Sequence, residues 1–63
     1  MKVWGYEEGM GQEGNWIVHV GSTATGDDFD WLEANLEWFR FTGAGNLVVG
    51  SEQDAMLTYM RFK

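Results

Sequence analysis

Trp38-Phe39-Arg40-Phe41-Thr42-Gly43-Ala44-Gly45-Asn46-Leu47-Val48-Val49-Gly50 is where the hydrophobic period of the chain turns from helical to alternating. Phe39 and Phe41 alternate against Trp38, Arg40 and Thr42, as in a strand whose two faces meet different surroundings. Gly43-Ala44-Gly45 can form a tight turn, and Leu47-Val48-Val49 is an apolar, β-branched return run. The stretch predicts a β-hairpin.

Upstream, Thr25 or Asp27 can cap a helix whose first turn carries acids, which the positive end of the helix dipole favours. The pattern predicts a helix from about Asp28 to Leu36. Helical spacing puts Phe29, Leu32 and Leu36 in one arc as the core stripe, Asp30, Glu33 and Glu37 on a neighbouring ridge, and Trp31 and Ala34 on the far side. Before it, Asn15-Trp16-Ile17-Val18-His19-Val20 is the strongest strand signal. Trp16, Val18 and Val20 share one face, Ile17 and His19 the other, and so apolar a run suits a central strand. Lys2 to Tyr6 reads as a further strand, with Val3 opposite Trp4 and Tyr6, and Glu7 to Gly14 as a loose, mobile connection rich in Gly and Glu.

Downstream of the hairpin, Ser51 followed three residues later by Asp54 signals a second helix with Ala55, Met56, Tyr59 and Met60 at helical spacing. Arg61-Phe62-Lys63 is expected to close the chain as a short strand. These elements predict an α+β domain spanning residues 1–63, an antiparallel sheet with two helices on one face. From Trp16 onward the order is the β-α-β-β-α-β of a ferredoxin-like plait, preceded by an extra N-terminal strand.

A chain of 63 residues has a high ratio of surface to core, so its four Trp, four Phe and two Tyr must supply most of the buried area. The absence of Cys removes disulfides, thiolate metal sites and thiol nucleophiles, and points to a reducing, cytoplasmic setting. No apolar run approaches the length of a membrane span. Ten acids against four Lys and Arg give a net charge of −6, which disfavours direct contact with nucleic acid or anionic lipid.

Catalysis is not expected. His19 is the only histidine and lies within a strand, and no nucleophile elbow or paired-histidine metal motif occurs. Asp27, Asp28, Asp30 and Glu33 crowd oxygen atoms together but do not follow a calcium-loop spacing, so no metal or cofactor is predicted. Gly43-x-Gly45 is a turn without a following helix to hold phosphate.

Acids and aromatics coincide from Asp27 to Trp38. A helix continuing through Trp38 would put Trp31 and Trp38 on one face, beside Asp27, Asp30, Glu33 and Glu37, as an anchor for a protein with a basic surface. In size, charge and aromatic content the chain is similar to short phage proteins that disable host enzymes, and carboxylates set where a nucleic-acid-handling protein expects phosphates would mimic nucleic acid. The expected function is therefore a small acidic binding module, a phage-type inhibitor of such a protein. The alternatives are a homodimer or larger oligomer joined by exposed aromatics, and a single-strand binder using Trp4, Trp16 and Tyr6 on a sheet face.

Overall fold

The computed structural model describes residues 1–9 and 15–63; most of the Gly-rich connection expected before Trp16 lies outside them. The elements follow in the order β1 (Val3–Glu8), β2 (Trp16–Val20), α1 (Gly26–Asn35), β3 (Phe39–Phe41), β4 (Leu47–Val49) and α2 (Glu52–Phe62). The four strands form one antiparallel sheet in the order β1-β2-β4-β3. This is a small α+β fold.

Period-two alternation divides the sheet. Tyr6, Val18, Leu47 and Phe41 lie across from one another in register, as do Trp16, Val49 and Phe39, and Val3 pairs with Val20. These residues form the inner face. Leu32 and Leu36 of α1 and Ala55 and Phe62 of α2 join Val3, Val18, Leu47 and Val49 in one buried cluster, so both helices bury their apolar side chains on that face. The outer face carries the alternate residues, including the cross-strand row Glu7, Ile17, Val48 and Arg40.

The hairpin forms as expected. Gly45 has φ of +89°, a conformation open mainly to glycine, and its N–H donates to the Thr42 carbonyl across the turn. β2 is an interior strand with the two faces assigned above.

Four expectations are corrected. Val3 pairs with Val20 but Gly5 with His19, so a bulge inserts one extra residue at Trp4. Tyr6 therefore points inward with Val3, against Trp16 and Tyr59, and does not share a face with Trp4. Phe29 belongs to the rim of the core rather than its centre: it is 40% exposed and packs on Phe39 and Phe41 of the edge strand. On α2, Ala55, Thr58 and Phe62 are buried with Tyr59 partly covered, whereas Met56 and Met60 are exposed.

The fourth concerns the C-terminus. Arg61 and Phe62 remain helical, and the Lys63 N–H donates to the Tyr59 carbonyl. β2 is paired by β1 on one side and β4 on the other, which leaves it no edge for a closing strand. The ferredoxin-like order accordingly does not form. Phe62 serves the core better as a helical residue, where it meets Trp31 edge-on with ring centroids 5.3 Å apart.

Candidate functional site

α1 begins with a reciprocal cap. The Thr25 hydroxyl accepts the Asp28 N–H, and Asp28 Oδ2 accepts the Thr25 N–H at 2.8 Å. The same oxygen lies 2.7 Å from the Met1 amine. The amine first, then the Thr25 N–H, holds the Asp28 carboxyl below the ordinary carboxylate range. Asp28 is thus committed to structure, while Asp27, Asp30 and Glu33 are exposed and form an i, i+3 row along the helix. Among the described residues no Lys or Arg side chain pairs with any of these three.

This row is self-repulsive, and its far end is worse placed than its start. Asp27 benefits from the helix N-terminus, but Glu33 lies near the negative end, and the last turn of α1 carries no basic residue. Among the described residues no ion pair engages the Asp30 or Glu33 carboxylate.

α1 stops at Asn35. Leu36 turns to an extended conformation, and the N–H of Glu37, which a longer helix would direct to the Glu33 carbonyl, instead donates to Asp54 Oδ2 on α2 at 3.2 Å. Asp54 is itself buried and held by the Ser51 cap. Trp31 and Trp38 therefore do not share a helical face. Trp31 is half-buried against Phe62, with its backbone carbonyl accepting from the Asn35 amide. Trp38 precedes the inward-facing Phe39, lies on the outer sheet face and is 42% exposed. Glu37 is exposed at the junction, off the helical line of the other acids.

The aromatic partner of the acidic row is instead Phe29, which helical spacing places beside Glu33, the last acid of the row, while Asp30 lies about 100° further round the helix. Phe29 forms one wall of an open groove of about 400 Å³ at the end of the sheet where β2 leaves and β3 turns into β4. Val20, Ala24 and Phe41 supply the rest of its apolar lining, and Gly45 its far rim. The arrangement can accept an aliphatic or aromatic side chain, with the exposed Glu33 one helical turn beyond Phe29. The sequence reading missed this groove because it assigned Phe29 wholly to the core; the nearby Phe39 and Phe41 on a three-residue edge strand were the available signal.

A second surface also escaped it. Trp4, 72% exposed, lies with its indole across Gly21, and Trp38 lies likewise across Gly50. A Cβ at Gly21 would collide with Trp4 Nε1, and one at Gly50 would fall 2.5 Å from Trp38 Nε1. Each indole thus needs its glycine. Between them lie Ile17, Val48, His19 and Arg40, with His19 Nε2 3.5 Å from Glu7 Oε1. Trp16 and Tyr6 face the opposite way, so the three-residue stacking surface of Trp4, Trp16 and Tyr6 is not assembled.

No helix among the described residues is long and apolar enough to cross a membrane. No known protein family, no curated protein and no solved structure matches the chain.

Proposed function

We propose that the chain is a protein-binding module rather than an enzyme, and that it engages a basic surface of its partner through the α1 flank. The observation that carries this reading is that Glu33, exposed and without an ion pair among the described residues, lies one helical turn from the groove-lining Phe29 and ends the exposed row Asp27, Asp30, Glu33. A partner side chain of Leu or Phe type would fill the groove, while neighbouring Lys or Arg residues would meet the acids. Glu37 extends the negative field toward the α1–β3 junction.

Basic surfaces that hold phosphates are the natural counterpart of such a row, so the partner class is a nucleic-acid-handling protein. Occupying that surface would block nucleic acid, which is how a cytoplasmic inhibitor of the phage type would act. Trp31 supports the helix from behind through Phe62, and Trp38 takes no part in this contact.

A synthetic twelve-residue peptide of Lys and Leu, compared with a Glu and Leu control, provides the test by isothermal titration at 50 and 500 mM salt. The Lys peptide should bind, and its affinity should fall about tenfold or more in high salt and in D30N/E33Q, because both changes remove the same charge interaction. Equal binding of both peptides, or salt-independent binding, would overturn the proposal.

A further inference from the structure

The outer sheet face has a charge order that is complementary to itself. One cross-strand row reads Glu7 on β1, Ile17 on β2, Val48 on β4 and Arg40 on β3, with an acid at one edge, a base at the other, and a half-buried Ile17 and a buried Val48 between. The row spans three strand spacings, about 14 Å. Arg40 is exposed and makes no ion pair among the described residues.

We infer that this face pairs with a second copy of the chain, the two sheets stacking about a two-fold axis that runs parallel to the strands. Such an axis lays β1 of one protomer over β3 of the other and β2 over β4. Glu7 then meets Arg40 of the second copy, twice by symmetry, and the half-buried Ile17 lies over β4, whose Val48 is already buried within its own chain. The other in-plane axis, perpendicular to the strands, would set Glu7 against Glu7 and Arg40 against Arg40, which repel. Charge therefore selects one of the two face-to-face arrangements, and strands aligned within ~30° are the common geometry of stacked sheets.

The surrounding surface fits this use. Trp4 and Trp38 lie across Gly21 and Gly50 at opposite ends of the face and supply most of its exposed apolar area, since Ile17 is half-buried and Val48 buried. With extents of 30 × 22 × 19 Å, one face of the molecule carries roughly 500–800 Å² of its 4114 Å² accessible surface, which reaches the ~800 Å² per partner of a standard interface only at the upper end. The association is accordingly weak and concentration-dependent. It leaves both α1 flanks outward, so a dimer would present two copies of the proposed partner site.

The test is a charge exchange read by sedimentation equilibrium from ~10 µM to ~1 mM, a range that suits a weak interface. The wild-type mass should rise with concentration from 7.2 kDa toward twice that value. E7R and R40E should each weaken the dimer about tenfold or more, and the double variant E7R/R40E should restore it, because the exchanged charges again face opposites. Circular dichroism checks that each variant is folded, and for the wild type alone 0.5 M salt should lower the dimer fraction. A mass of one chain throughout, a dimer unaffected by the single exchanges, or a double variant no better than the singles would overturn the inference.

Discussion

Replacing Gly45 by Ala isolates a purely conformational cost. A Cβ at Gly45 meets nothing within 4 Å, so no neighbour is displaced, but φ of +89° is unfavourable for an L side chain. That penalty is about 1–2 kcal/mol. Gly43, two residues earlier in the same turn, also has open space around its Cβ position, and its φ is not positive. Gly43→Ala should stabilise by ~0.4–1 kcal/mol, because it restricts only the unfolded chain. The two variants should therefore differ by at least ~1.4 kcal/mol, or about 6–11 °C in Tm for a domain of this size. That is a large share of a total stability of only several kcal/mol. Urea unfolding followed by tryptophan fluorescence measures the difference, with unchanged m values confirming that the unfolded state is comparable. G45N should recover part of the loss, since Asn tolerates positive φ. Equal stabilities for G43A and G45A would refute the assignment of the strained position.

Three further outcomes follow from single contacts. D54A should cost about 1.5–3 kcal/mol and D54N less, because the amide oxygen can still accept the Glu37 N–H that ends α1; thermal melts of the two variants decide this. G50A should lift the Trp38 indole off the sheet and red-shift its emission, and the shift should vanish in a W38F background. The depressed pKa of Asp28 means that its contribution is complete above the ordinary carboxylate range and is lost as pH falls through the lowered value. The pH dependence of stability on the acid side should consequently be shallower in D28N than in wild type, as measured by urea unfolding at successive pH values.

Local signals in the sequence were sufficient for the four observed strands, the hairpin and the Ser51 cap, but left Thr25 and Asp27 both open as the first cap and suggested a closing strand that does not form. Thr25 and Ser51 act through residues three positions on, and the faces of β2 follow from alternation alone. What was not legible depends on partners distant in the chain. The bulge at Trp4 is defined by pairing with β2, and it separates Trp4 from Tyr6 although the residue pattern suggested a common face. The end of α1 near Leu36 was legible to within a residue, but the contact that seals it, Asp54 accepting the Glu37 N–H from seventeen residues along the chain, was not. Phe62 was read as a strand residue because its helical role depends on Trp31 across the core. The acids of the candidate site were visible as a row, but their aromatic neighbour was not. Phe29 falls on the core stripe by spacing, and only the position of the short β3 edge leaves it at the mouth of a groove.

The central claim is that the groove near Glu33 is where a basic partner binds. Titration of the ¹⁵N-labelled chain with the Lys and Leu peptide, followed by amide chemical shifts, addresses it directly. The largest shifts should fall at Val20 to Ala24, Phe29, Glu33 and Phe41 to Gly45, and should diminish in D30N/E33Q. Shifts confined to the outer sheet face around Trp4, His19 and Arg40, or none at all, would contradict it.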